Sequence, residues 1–305
     1  MSTGNKKPSP TTITQLVETS GNDKIANDAK LDKARLDKAV LNETANQVFA
    51  SDPVAAGNKL NKVNLLDRLL AANMLVPGSD LGRDIQDDYR RVKRPLVSNA
   101  CGRNKLMVDR GNLILVTSSV PGEGKTYSSM NLALSIAQEK DATVLLVDCD
   151  VAKQGISRML GLEKIRGLVD VLESTDLTIA DVMLQTDIPN LRVVSAGKQD
   201  EYVAELLASQ RMFDLVDEIA SRYNDRIIIF DGPPLLATPE TQILAGLVGQ
   251  VVFVIEAGKT PQSLVEDALK MIPDEQATGL LINKNEGLSS SGYHYGYYGS
   301  ENDSK

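Results

Sequence analysis

The chain has no tryptophan, only four phenylalanines, and aromatic residues make up 4% of its 305 positions. Its interior must therefore be built from Leu, Ile, Val and Ala, as in sheets buried on both faces. There are two cysteines, Cys101 and Cys149. Two such residues give neither a disulfide framework nor metal spacing, and they suit a reducing compartment. No run of apolar residues approaches the length needed to cross a bilayer. The opening MSTGNKKPSPTTITQ lacks the apolar stretch of a secretory signal. Basic residues are too few to balance the acidic ones: the net charge is −8 and the pI about 4.9. This argues against non-specific nucleic-acid binding, which depends on Lys and Arg neutralising phosphates. The expectation is a cytoplasmic protein without a nucleic-acid partner.

What is present divides the chain into three stretches. Residues 1–80 read as an extension, polar and Pro-containing at first. It then carries helix-forming KLDKARLDKAVLNE and an amphipathic helix over VNLLDRLLAANMLVPG (63–78), stopped by Pro77-Gly78. Residues 81–284 read as the principal domain. It opens with a charged helix, DIQDDYRRVKRPLV (84–97). From about Asn112 onward, β-branched runs alternate with helical patterns. The runs are LILVT (113–117), TVLLVD (143–148), RVVS (192–195), RIIIFD (226–231), QVVFVIE (250–256) and GLLIN (279–283). Helices are expected over 125–140, 204–223, near Gln242 and after Pro261. This alternation implies right-handed crossovers and an α/β fold, a mostly parallel sheet with helices on both faces. Residues 285–305 are rich in Gly, Ser and Tyr and read as a tail.

The chemistry concentrates at VTSSVPGEGKT (116–126). Between the end of a strand and the start of a helix, glycines let backbone N–H groups turn toward phosphate oxygens. The helix N-terminus adds partial positive charge. Ser119, Val120, Pro121, Gly122, Glu123, Gly124, Lys125, Thr126 and Tyr127 form the expected nucleotide-binding loop. Lys125 reaches toward the β- and γ-phosphates and Thr126 toward Mg²⁺. Ser119 stands where the strict P-loop pattern has its first glycine. Two further strands end in acid: TVLLVDCD in Asp148 and Asp150, and RIIIFD in Asp231. At the carboxyl ends of strands these carboxylates converge on the loop. There they suit metal support and proton removal in phosphoryl transfer. GLLINKNEG carries Asn283-Lys284-x-Glu286, one methylene away from the N-K-x-D that reads guanine. It is assigned to adenine, with Asn283 near the edge of the base.

The DxD station, the loop and the tail together resemble the bacterial tyrosine kinases of the exopolysaccharide-linked type. The likeness runs from about Val63 to the C-terminus. It rests on SSVPGEGKT, VLLVDCDVAKQG, IIIFDGPP and the tyrosine cluster GYHYGYYG. The resemblance implies a P-loop kinase that uses ATP and Mg²⁺ to phosphorylate tyrosines of neighbouring subunits. Lys125, Asp148 and Asp150 are then catalytic, with Asp148 as base, and Thr126, Asp150 and Asp231 serve the metal. Tyr293, Tyr295, Tyr297 and Tyr298 are the phosphorylation sites. Half of the chain's eight tyrosines fall in this short segment.

In the family a Glu-x₂-Arg-x₂-Arg helix contacts the next subunit of a ring. The matching residues here are Asp88, Arg91 and Arg94, with the acid one methylene shorter. The resemblance further implies a homo-oligomer, a separate membrane adaptor of the polysaccharide chain-length class, a protein-tyrosine phosphatase, and a peripheral position at the inner face of the membrane. A Min/Par-type ATPase switch is the competing reading. That branch carries an extra lysine at the position of Val120, and neither the valine nor the tyrosine tail supports it. A kinase-like module holding nucleotide only as structural glue is a third reading, and the intact Lys125, Thr126, Asp148, Asp150 and Asp231 argue against it.

Overall fold

A computed structural model describes residues 62–76, 83–101, 108–200, 202–223 and 226–285. Within them an eight-stranded sheet runs in the order β1-β4-β5-β3-β6-β2-β7-β8. The strands are β1 (Lys62–Val63), β2 (Leu113–Ser118), β3 (Thr143–Asp148), β4 (Leu184–Thr186), β5 (Leu191–Val194), β6 (Arg226–Asp231), β7 (Gln250–Glu256) and β8 (Ala277–Asn283). Every pairing is parallel except β4 with β5. Central β2 and β6 are buried along their whole length. That explains why their sequences are continuous apolar runs rather than alternating ones.

Alternate strand residues feed opposite faces. Ile114, Val116, Leu146 and Ile229 enter one core with Leu69, Tyr89, Met130 and Ile156. Leu113, Leu115, Val147 and Phe230 enter the other with Leu172, Met212, Leu215 and Leu244. The first face is covered by α1 (Leu66–Ala71), α2 (Arg83–Ala100), α3 (Lys125–Ala137) and α4 (Gly155–Leu160). The second is covered by α5 (Leu168–Glu173), α6 (Ile179–Val182), α7 (Val203–Leu207), α8 (Gln210–Arg222), α9 (Glu240–Leu247) and α10 (Gln262–Leu269).

Five local expectations are corrected. The helix expected over 63–78 is instead a two-residue strand, one short helix and an extended segment. Asp187 accepts from the N–H groups of Leu65 (2.7 Å) and Leu66 (3.4 Å) at the helix start. The helix ends at Ala71, and the chain turns away at Asn73, whose φ is 53°. Met74 N–H reaches Leu69 O at 2.9 Å and Asn73 N–H reaches Leu70 O at 3.1 Å, the paired bonds of a left-handed C-terminal cap. Because Leu65, Leu69, Met74, Leu75 and Val76 are all buried in the first core, residues 62–76 belong to the folded body rather than to an extension ending at 80. The single helix expected over 204–223 is two helices. Ser209 breaks it, its hydroxyl accepting the Met212 N–H as the N-cap of α8. Finally, α2 continues through Pro95 to Ala100, and α3 stops at Ala137, short of Lys140.

Candidate active site at the carboxyl edge of the sheet

The loop after β2 crosses from a fully buried strand into α3. Gly122 (φ 97°) and Gly124 (φ 99°) take backbone conformations that a side chain disfavours. Gly124 is also the N-cap of α3, so Lys125 and Thr126 are its first two residues. Lys125 is buried. Burial pushes its ammonium below the usual lysine range, while Asp231 and Asp150 pull it back up.

Register brings the carboxylates together. Asp148 at the end of β3 lies opposite Asp231 at the end of β6, and β6 lies beside β2, which feeds the loop. Asp231 accepts from Thr126 Oγ1 at 2.9 Å and from Ser129 Oγ at 2.8 Å. Burial raises its pKa to about 6, against the opposing pull of those two hydroxyls and Lys125. Asp148 is raised to about 7, by burial first and by the charge of Asp231 second. One of its oxygens accepts from Ser157 N (2.8 Å) and Ser157 Oγ (2.7 Å) of α4. The other, Oδ1, is buried without a partner. Asp150 is buried beside them and its Oδ1 accepts the Lys153 N–H at 3.3 Å.

The residues named from sequence therefore fall into distinct places. Lys125, Thr126, Asp148, Asp150 and Asp231 meet at one edge. Ser119 is fully buried and its hydroxyl has no partner. Val120 donates its N–H to Glu123 Oε2 at 2.8 Å. Pro121 and Gly122 are exposed at the loop's tip. The Tyr127 hydroxyl points back to Asn73 O at 3.5 Å, at the margin of a hydrogen bond. Asn283 lies on the loop itself, its Nδ2 donating to Glu123 O at 2.9 Å. On α2, Arg91 is exposed and pairs loosely with Asp88 at 3.7 Å, and Arg94 is exposed one turn further on. This face lies opposite the one that buries Tyr89, Lys93 and Leu96. Tyr293, Tyr295, Tyr297 and Tyr298 lie outside the described residues.

Three supporting residues were not foreseen. Ser129 follows Thr126 by three positions, a helical spacing that puts both hydroxyls on one face, so a signal existed. Ser157 lies nine residues after Asp148 with no periodic link to it. Gly155 begins α4 against Thr126; a Cβ there would sit 2.5 Å from Thr126 Oγ1.

The arrangement can hold a polyphosphate on the loop and a divalent cation among hard oxygens. The Asp150 and Asp231 carboxylates and the Thr126 hydroxyl are a donor set that suits Mg²⁺, and the partnerless Asp148 Oδ1 beside them is left to accept a proton. A positive ion there would relieve the crowding of like charge that raises Asp148 and Asp231.

Comparison with known proteins agrees with this geometry. A family model described as AAA domain matches residues 111–273. The chain is 32% identical over 194 residues to EpsB of Ralstonia nicotianae, covering 63% of this chain but only 25% of that protein. It thus spans about a quarter of the length of that relative. It is 32% identical over 188 residues to the tyrosine-protein kinase YwqD of Bacillus subtilis, covering 62% of this chain and 78% of YwqD. Among solved structures, the kinase domain of VpsO superposes with a TM-score of 0.53 at 29% identity, over 65% of this chain and 99% of that one. With YwqD 32% identical and matched over 78% of its length, and with the phosphate loop and the carboxylates of Asp148, Asp150 and Asp231 meeting at one edge, the chain belongs to the family of bacterial tyrosine-protein kinases.

Proposed function

We propose that the protein is an ATP-dependent protein-tyrosine autokinase. Its substrates are Tyr293, Tyr295, Tyr297 and Tyr298 of neighbouring subunits, and its output is control of exopolysaccharide synthesis or export. The observation that carries this reading is the meeting of Asp148, Asp150 and Asp231 with the Lys125–Thr126 end of the loop. A protein that only stored nucleotide would gain nothing from crowding three buried carboxylates together, because each costs desolvation.

In this reading the loop 119–127 holds the triphosphate of ATP, and Lys125 draws negative charge from its outer phosphates. Thr126, Asp150 and Asp231 hold Mg²⁺, which when bound neutralises charge on the phosphate oxygens. Asp148 takes the proton from the incoming tyrosine hydroxyl. A carboxylate near neutrality suits that task better than one at the ordinary aspartate value. Ser157 fixes one oxygen of Asp148, leaving the other to receive the proton. The phenolic oxygen forms the new bond to the γ-phosphorus as the bond to ADP breaks.

Asp88, Arg91 and Arg94 form the contact with the next subunit of a ring. The family resemblance supports this, as does the exposure of both arginines. No helix among the described residues is long and apolar enough to cross a membrane. In this reading the protein is held at the inner face of the membrane by a separate adaptor of the polysaccharide chain-length class, as the family resemblance implies. A protein-tyrosine phosphatase resets it. Residues 285–305 are the substrate tail.

The test is mass spectrometry of the purified protein after incubation with Mg²⁺ and ATP. Phosphate on the tail tyrosines, lost in Lys125→Met, is the expected result. ATP hydrolysis with no phosphotyrosine would support the Min/Par-type switch instead.

A further inference from the structure

The end of β8 meets the phosphate loop at three points. Asn283 Nδ2 donates to Glu123 O at 2.9 Å. Lys284 Nζ donates to Gly122 O at 2.7 Å and pairs with Glu256 at 3.2 Å. Asn283 also lies so close to Gly124 that a Cβ there would collide with its amide. From the other side, Glu123 is buried within the loop. One of its oxygens accepts the Val120 N–H at 2.8 Å, and the other accepts from Thr260 Oγ1 in the connection from β7 to α10.

A peptide unit is planar and trans, so each carbonyl points opposite to the N–H of the following residue. Donors on the Gly122 and Glu123 carbonyls, both from the end of β8, therefore turn the N–H groups of Glu123 and Gly124 away from β8. Neither of those N–H groups donates to a backbone carbonyl among the turn and loop bonds of the described residues. Loop N–H groups without a protein acceptor are available to a ligand's oxygens.

We infer that Asn283 and Lys284 are positioning residues that pre-set the phosphate-binding N–H groups by gripping the loop's carbonyls, and that Asn283 does not read the nucleotide base. This rests on the nucleotide-binding reading above and changes one assignment within it. Pre-set donors bind phosphate without the cost of ordering the loop at each encounter.

The two roles differ in what they do to a ligand with no base. Calorimetric titration of the full-length protein with Mg²⁺–ATP and with Mg²⁺–tripolyphosphate separates them. Asn283→Asp keeps the shape and removes the donor. It is expected to weaken both ligands by the same factor, on the order of tenfold. Lys284→Met, at a half-exposed site, is expected to weaken both less but again equally, which keeps the idea testable if Asn283→Asp does not fold. Weakening of ATP alone, no weakening of either ligand, or wild-type protein that binds ATP but not tripolyphosphate would each overturn the inference. Wild-type protein that binds neither would instead sink the nucleotide-binding reading itself.

Discussion

Asp148 and Asp231 face each other across adjacent parallel strands, and both are raised above an ordinary aspartate, to about 7 and about 6. The consequence for stability has a definite sign. A carboxyl whose pKa is raised on folding binds more protons in the folded state. Its contribution is fully present below the unfolded value and is lost as pH rises through the folded value. Without Mg²⁺ or nucleotide, stability from this pair should therefore fall between about pH 4 and pH 7. Asp148→Asn should raise the melting temperature in EDTA near pH 8, by about 1–3 kcal/mol of stability, with the gain shrinking toward pH 5. Thermal melts of the two proteins at several pH values check this. The same variant should lose tyrosine phosphorylation, because the amide cannot take the proton.

Gly124 gives a second prediction at this scale. Its φ of 99° and the neighbouring Asn283 amide leave no room for a methyl group. Gly124→Ala should cost about 1–3 kcal/mol in local strain and displaced contacts. It should weaken ATP binding far more than it lowers the melting temperature, as calorimetry and a thermal melt on one preparation would show.

At the scale of elements, the central strands were legible because buried parallel strands are unbroken β-branched runs with punctuation at both ends. TVLLVD, RIIIFD and QVVFVIE fall on β3, β6 and β7 residue for residue. Strands β1 and β4, of two and three residues, carry too little pattern to be read alone. They exist because neighbours supply their partners. The loop and its carboxylates were legible as types and order, since strand ends place them by topology. The bond from Ser157 to Asp148 was not, since it depends on how α4 packs. The role read for Asn283 came from a base-reading pattern, whereas its amide lies on the loop.

Helix α2 shows which of its faces is committed. Lys93 is buried and bonds to Ser135 O and Glu139 on α3 and beyond it, whereas Arg91 and Arg94 face outward. Replacing both arginines with alanine should leave stability within about 0.5 kcal/mol, as for exposed sites generally. Under the ring proposal the same change should lower the oligomer mass in light scattering. A destabilised protein of unchanged mass would place the arginines in the fold instead.

For the whole molecule, charge would connect activity to assembly under the autokinase and ring proposals. The chain carries a net charge of −8, and each tail phosphate adds about −1.5 to −2 at pH 7. Autophosphorylation should therefore loosen a ring of such subunits, and phosphatase treatment should restore it. Light scattering of the two forms at the same protein concentration reads this directly, and equal masses would reject it. Raising the salt should shrink the difference, because the repulsion is screened.

The central claim is that the clustered carboxylates at the sheet edge move phosphate from ATP to a neighbour's tail tyrosines. Its most direct measurement mixes two proteins: Lys125→Met with its tail intact, and a protein with a native site but truncated after Ser291. With Mg²⁺ and γ-labelled ATP, the account predicts label on the tyrosines of the Lys125→Met chain, and none when that chain is incubated alone. ATP turnover by the truncated protein with no label on its partner would contradict it.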